Sequence, residues 1–252
     1  PAREVTWSGA ALVTAGADKK VHFWKMPEGK IAQTAAVDFR IRALALSPDG
    51  KTAAVAGESD VIQLFDAASG KPTVKLTDKM DWTRCLAFSA DGKQLLSGDE
   101  LGVVRLWDAS GKKLRDYPID LSPKPKTPPE RNAVTSVAFV PDGKAILAGL
   151  ETGAIAYVNL ADGKVVRTLA GHTGPITGMA FHPTGTVLAT CSKDRTVKLW
   201  NPAAPAPLKS LDGHNAWIEG IVFVEQATRL ATVSADQTVR IWDLSVPDPK
   251  KK

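Results

Sequence analysis

The sequence predicts an all-β chain of stacked antiparallel sheets, and two observations carry that prediction. A short β-rich run ending in an aromatic or aliphatic residue followed by a polar one recurs six times, at Trp24-Lys25, Phe65-Asp66, Trp107-Asp108, Val158-Asn159, Trp200-Asn201 and Trp242-Asp243. These endings are 41, 42, 51, 42 and 42 residues apart. A fixed period in this range marks a unit that buries its apolar face only by stacking on its neighbours. Within each period, three apolar, β-branched runs are parted by turn residues, which reads as antiparallel strands. The expected organisation is therefore one repeat array over residues 1–244, with a basic tail at 245–252.

The elements follow in a regular order. The chain opens at about Ala2 in what reads as an innermost strand. In the clearest repeat, Gly171–Asn201, strands are expected at Ile176–Phe181, Val187–Ser192 and Thr196–Trp200. The first strand is joined to the second by Pro48-Asp49-Gly50, Ala90-Asp91-Gly92, Pro141-Asp142-Gly143 and Pro183-Thr184-Gly185. In these turns Gly supplies the positive φ and Pro presets the approach. A weaker fourth strand follows each ending, as in Lys164–Leu169.

Two repeats begin with glycine-histidine, at Gly171-His172 and Gly213-His214, and end in Trp200-Asn201 and Trp242-Asp243. This pattern resembles the WD40-repeat family over essentially the whole chain, from about Ala2 to Leu244, with four repeats degenerate. The resemblance implies a β-propeller of four-stranded antiparallel blades, with six repeats visible: six-bladed, or seven-bladed lacking an upstream blade. It also implies a structural tetrad in each of two blades, His172, Ser192, Asp194 and Trp200, then His214, Ser234, Asp236 and Trp242. In the first repeat Asp18 and Trp24 fit the pattern and Gly16 stands at the hydroxyl position. His, Ser and Asp together invite a hydrolase reading, but the same set occurs twice at the same offsets, each tied to a Trp indole, as a structural network repeated per blade would be.

Counting strands exposes a shortfall. Three strands precede each ending and one follows it, so the last blade lacks its outermost strand, and Ser245–Lys252 is poor strand material because its prolines remove ladder donors. An unpaired edge is a template for association. An upstream strand, an upstream seventh blade, or a partner chain adding a strand would each cover it, and self-association through the open edge is one form of the last.

At 252 residues with 44% apolar composition the chain supports a sizeable core. Of seven tryptophans, Trp24, Trp107, Trp200 and Trp242 fall at repeat endings and Trp7 in the opening strand, and all five are expected in the core. Cys85 and Cys191 sit in strands of different repeats and read as small buried hydrophobes, without disulfide or metal-ligand spacing. That favours a soluble, cytoplasmic chain without fixing the compartment. No apolar run is long enough to span a membrane. The net charge of +5 includes three terminal lysines, Lys250–Lys252, which leaves an ordinary surface balance. A nucleic-acid site needs a basic stripe with stacking aromatics, and the only candidate is Arg3, Arg40, Arg42 and Arg84, so the sequence argues against nucleic acid as partner.

No phosphate-binding glycine loop, HExxH or metal cluster is present, and no catalytic residue, metal or cofactor is expected. The reading is a non-catalytic protein-interaction scaffold, with a protein or peptide partner held on the face formed by the loops leading into each blade. Arg40, Arg42, Trp82, Arg84, Thr135, Thr177, Lys193, Trp217 and Glu219 should line it. Trp82 and Trp217 precede the apolar strand positions, where other repeats have Arg40, Ala133 and Pro175, so the core pattern does not require them, and exposed Trp and Arg dominate interface energetics. The 51-residue spacing reflects a proline-rich insertion at about 118–132 with five prolines, expected to be extended or polyproline-like. Ser122-Pro123 and Thr127-Pro128 within it resemble proline-directed kinase sites. Two alternatives remain: an enzyme or small-ligand propeller using its central channel through Arg42, Arg84, Thr135, Thr177 and Glu219, and a propeller module of a longer polypeptide whose upstream part carries the activity.

Overall fold

The structure is a computed structural model in which residues 2–8, 11–121, 132–224 and 227–245 are described. No helix occurs among these residues. The strands form six consecutive antiparallel sheets of β-propeller blade type, five of four strands and the last of three. The chain groups into two compact units, Pro1–Phe139 and Val140–Lys252.

In the first unit, the first sheet contains β1 (Ala2–Ser8), β2 (Ala11–Gly16), β3 (Lys20–Lys25) and β4 (Lys30–Ala36). The second contains β5 (Ile41–Leu46), β6 (Thr52–Gly57), β7 (Val61–Asp66) and β8 (Pro72–Thr77), and the third β9 (Thr83–Phe88), β10 (Gln94–Asp99), β11 (Val103–Asp108) and β12 (Lys113–Pro118). β13 (Val134–Phe139) ends this unit. In the second unit are β14 (Ala145–Leu150), β15 (Ile155–Asn159) and β16 (Val165–Leu169), which follow β13 in the strand order of the fourth sheet. The fifth sheet contains β17 (Ile176–Phe181), β18 (Leu188–Ser192), β19 (Thr196–Trp200) and β20 (Pro207–Asp212). The sixth contains β21 (Ile218–Val224), β22 (Arg229–Ser234) and β23 (Val239–Asp243), without an outermost strand among the described residues, as the strand count predicts.

The first-to-second-strand turns form where expected, with Gly50, Gly92, Gly143 and Gly185 at φ between 69° and 73°. Two are locked by the same device: the Ser47 hydroxyl donates to Asp49 and accepts from the Thr52 amide, and Ser89 does the same with Asp91 and Gln94. These serine bonds, with help from the Lys51 and Lys93 amides, hold both carboxyls below the ordinary aspartate range.

The core forms where one sheet stacks on the next. Val13, Ala15, Val21 and Phe23 of the first sheet pack with Ile41, Ala53 and Phe65 of the second. In the other unit, Ala189, Cys191 and Val197 of the fifth sheet pack with Ile218 and Leu230 of the sixth. Each fully buried Val, Leu, Ile or Phe among them contributes about 1.5–3 kcal/mol, so the alternation that aims these residues inward also supplies the driving force for stacking.

Two expectations need correction. Trp7 is not in the core: it is 58% exposed. It pairs with Leu12, on the face of the first sheet opposite the Val13 and Phe23 set. The packed structure also reaches further into the proline-rich segment than 118 suggests, because Pro118 pairs with Val103 and Ile119 is buried, its amide donating to the Gly102 carbonyl. Residues 122–131, with Ser122-Pro123 and Thr127-Pro128, and the Lys250–Lys252 tail lie outside the described residues, as does the Arg3 side chain.

Candidate functional site

In the second, third, fifth and sixth blades the innermost strand carries a β-bulge at the same place. The register slips between Ile41 and Ala43, between Thr83 and Cys85, between Ile176 and Gly178, and between Ile218 and Gly220. A bulge leaves one residue unpaired and re-aims its side chain. The residues so placed are Arg42, Arg84, Thr177 and Glu219, four of the predicted site positions.

In the first unit the two bulged arginines meet glutamates seven residues before their repeat endings. Arg42 donates through Nε and Nη2 to Glu58 Oε1 at 3.0 and 2.7 Å, and Arg84 Nε lies 3.1 Å from Glu100 Oε1. Arg40 stands 3.8 Å from the same Glu58 oxygen. The cations are therefore paired with carboxylates instead of forming a bare basic stripe, which removes the motive for a polyanion site there. Beside them Trp82 is 45% exposed. Its carbonyl accepts the Glu100 amide, its own amide donates to Asp81, and the Arg42 guanidinium sits 5.8 Å from its ring centre. It forms one wall of a cleft of about 410 Å³ that also takes in Asp60, Lys79, Met80, Asp81 and Leu101. Thr135, on β13, is half-buried.

The second unit repeats the arrangement with different residues. Trp217 is 52% exposed, the Lys193 ammonium lies 4.5 Å from its ring centre, and its carbonyl accepts both the Ala235 amide and the Ser234 hydroxyl. Glu219 is exposed. Thr177 is used internally: its hydroxyl donates to the Ile218 carbonyl and lies 3.3 Å from Cys191 Sγ. Cation and aromatic face attract through the ring quadrupole by about 0.5–1 kcal/mol at exposed sites, so each Trp ring is biased toward its cation while staying about half exposed.

The polar chains behind these loops differ from the tetrads expected of the sequence. Trp200 Nε1 donates to the Thr190 hydroxyl at 2.8 Å, Thr190 meets His172 Nε2 at 2.8 Å, and His172 Nδ1 meets Asp194 Oδ2 at 2.7 Å. With His172 protonated on Nδ1, every donor finds an acceptor. Thr232 joins Trp242, His214 and Asp236 in the same way. Ser192 and Ser234 are outside the chain. Ser192 donates to the Gly174 carbonyl and accepts the Asp194 amide, and Ser234 does the equivalent for its own loop. The physical reason is reach: residues 190 and 192 project to the same face of β18, but the indole extends from β19 to the nearer one. By the same offset, the hydroxyl serving Trp24 is Thr14, not the Gly16 position, and Ser97 serves Trp107.

Burial pushes the Asp194 carboxyl up, but bonds from His172 and Thr196 and the attraction of His172 outweigh it and hold the carboxyl well below the usual range. For Asp236 the Thr238 hydroxyl contributes most, with the Asn215 amide and His214 adding to it against desolvation. Thr190 and Thr232 are buried, at 0% and 1% exposure, so neither hydroxyl beside a histidine can meet a substrate. Among the described residues, no group of three or more His, Cys, Asp or Glu is placed to hold a metal ion, and no helix is long and apolar enough to cross a membrane.

Sequence reasoning missed one cluster. The third sheet's approach loop has Lys79 where the two complete chains have histidine. Arg105 of β11 instead reaches inward to form an ion pair with Asp99, donates to the Lys79 carbonyl at 3.3 Å, and lies 3.4 Å from Asp78 and 3.7 Å from Asp116. Lys113 completes the cluster with Asp78 and Asp116. An acidic residue eight before the ending together with an arginine two before it was the available signal.

Blades with these bulges and indole-anchored chains define a β-propeller repeat protein. The family described as WD domain, G-beta repeat matches residues 70–108, 163–201 and 205–243. Each match takes the outermost strand of one sheet and the first three of the next. These three matches, together with the six blade-type sheets, support a WD40-repeat propeller family, whose members commonly act as protein-interaction scaffolds and are typically non-enzymatic. Comparison with curated proteins gives no match to the chain.

Proposed function

We propose that residues 1–244 form a non-catalytic interaction domain that binds a protein or peptide partner through the bulged loops leading into its blades. The observation that supports this most is the pair of exposed tryptophans at repeat-equivalent positions, Trp82 and Trp217, each beside a cation that faces its ring. Neither ring contributes to the described core clusters. A large aromatic face held rigid at the surface loses little entropy on binding, and buried Trp anchors carry much of an interface's energy. The cleft beside Trp82, with Lys79 among Asp60 and Asp81, suits a peptide that seats an apolar side chain against the indole and a polar group at the rim. Arg40, Arg42, Arg84 and Lys193 are assigned to orienting the loops, and Glu219 to the rim.

Affinity capture from the native source, with bound proteins quantified for the wild type and for the Trp82→Ala, Trp217→Ala double variant, tests the proposal. The expected result is selective loss of bound protein from the variant. An unchanged bound set would remove these two residues from the interface.

A further inference from the structure

Within the second unit, a cleft of about 650 Å³ lies between the β15 and β16 pair and the turns of the sheet that follows. Its origin is readable in the chain. In the first unit the cross-strand pair Phe23 and Gln33 lies under the loop from β7 to β8, whose Gly70 has φ 67°. A Cβ at Gly70 would sit 2.8 Å from Gln33 Cβ and 3.2 Å from Phe23 Cδ2, so only bare backbone fits. The loop from β19 to β20 has the same register, since Trp200 pairs with Pro207 as Phe65 does with Pro72. Pro205 stands where the earlier loop has Gly70, and a proline ring, with φ fixed at about −65°, excludes that left-handed turn. Different bonds tie this loop: Arg167 Nη1 donates to the Pro202 carbonyl at 2.8 Å, and the Ala170 amide to the Pro205 carbonyl at 3.2 Å. The cross-strand pair Tyr157 and Arg167, which corresponds to Phe23 and Gln33, is left lining the cleft.

The polar groups around this cleft are donors in search of an acceptor. The half-buried Arg167 guanidinium lies 4.8 Å from the Tyr157 ring centre. A single Nη is engaged, by Pro202, and no described carboxylate forms an ion pair with it. Arg42 and Arg105 of the first unit, by contrast, are both ion-paired. Tyr157 adds a hydroxyl without a hydrogen-bond partner among the described residues. Burial, and then the Asp142 carboxylate, push that phenol's pKa up, so it stays protonated and can donate. Asn201 Oδ1 accepts the Ala203 amide at 2.9 Å, which leaves the carboxamide nitrogen to donate. The Thr184 and Thr186 hydroxyls meet each other at 2.8 Å, with Thr184 also on His182, and serve as wall. Asp142 lines the same cleft, its Oδ1 bonded to the Lys144 amide. Its charge opposes a dianion more than a single carboxylate.

We propose that this cleft is a second binding site, which takes an extended peptide and holds one of its acidic side chains by the carboxylate against Arg167, Tyr157 and Asn201. The open edge of a guanidinium matches the two oxygens of a carboxylate, and Pro141 and Pro202 offer apolar surface to the flanking peptide residues. In the fifth sheet, antiparallel order puts the turns that line the cleft at the strand ends opposite the Lys193 turn. A peptide seated here therefore leaves the Lys193 and Trp217 loops open, and the two binding proposals stand or fall apart.

The test is heteronuclear NMR of the nitrogen-labelled full chain, titrated with the end-capped peptide acetyl-Pro-Ala-Glu-Ala-Pro-amide to about 20 mM, enough to fill a millimolar site. Shifts are expected at the Arg167 Nε–H, the Asn201 carboxamide and the Thr184 and Thr186 amides. The same peptide with Gln for Glu should bind at least about tenfold more weakly, the worth of a hydrogen-bonded charge, and a phosphoserine form should bind no more tightly than the Glu form. Arg167→Gln should lose about tenfold in affinity and Tyr157→Phe about threefold. Thr186→Asp, at an exposed position on the cleft, should abolish binding by repulsion, and it leaves the Arg167 bond to Pro202 in place. Trp217→Ala should bind the peptide as the wild type does. Absence of shifts at Arg167 and Asn201, equal affinity for the Glu and Gln peptides, or tighter binding of the phosphoserine peptide would overturn the proposal.

Discussion

The fifth and third blades both anchor a third-strand tryptophan to a second-strand hydroxyl, then fix the neighbouring loop by different chemistry. In the fifth, a hydrogen-bond relay runs from Trp200 through Thr190 and His172 to Asp194. In the third, the relay stops at Ser97, and a buried Arg105–Asp99 ion pair takes over the loop. The lesson is that the repeat conserves a geometric task within one chain while exchanging the groups that perform it. The two solutions should fail differently, because a buried charge left alone costs more than a buried hydroxyl left alone.

The largest expected effect is therefore in the third blade. Arg105→Leu leaves Asp99 buried without its cation and should cost about 3–5 kcal/mol, read from the urea midpoint. A loss below that of the fifth-blade variants would reverse the ranking. Thr190→Val comes next: it strands the Trp200 N–H and one nitrogen of His172, for about 1–3 kcal/mol. Ser192→Ala should cost less than Thr190→Val, since it removes loop bonds outside the relay, and the opposite order would restore Ser192 to the chain.

Acid sharpens the contrast. The folded-state value of Asp194 lies below its ordinary 3.8, so the stability it contributes is present above that ordinary value and is lost as pH falls toward the folded one. Asp194→Asn should flatten the stability profile below about pH 4. The smallest effect concerns Cys191, where burial pushes the thiol up to about 12 against a hydrogen bond from Thr177. At neutral pH it should resist alkylation in the native protein and label readily in denaturant; rapid native labelling would mean that the fifth and sixth sheets part easily.

The sheet order was legible because the forty-two-residue period is itself the spacing of stacked blades, and the three-stranded sixth sheet among the described residues followed from counting. Trp82 and Trp217 were readable as non-core because they occupy a position filled by Arg, Ala or Pro in other repeats. The tetrad hydroxyl was not readable, since Thr190 and Ser192 share one strand face and only the reach of the indole chooses between them. Trp7 was misplaced because strand alternation shows which way a side chain points and not how deeply it is buried. The Arg105 and Asp99 pair was hidden because its cation comes from a strand instead of from the approach loop.

The residues assigned to holding the blades differ from those proposed to meet a partner, and one paired measurement tests that separation. The urea midpoint and partner capture are compared for the Trp82→Ala, Trp217→Ala variant and for Thr190→Val. The first should keep its midpoint within about 0.5 kcal/mol, as exposed substitutions do, and lose capture; the second should lower its midpoint and retain capture under native conditions. A tryptophan variant that keeps full capture, or loses it only by unfolding, would contradict the account.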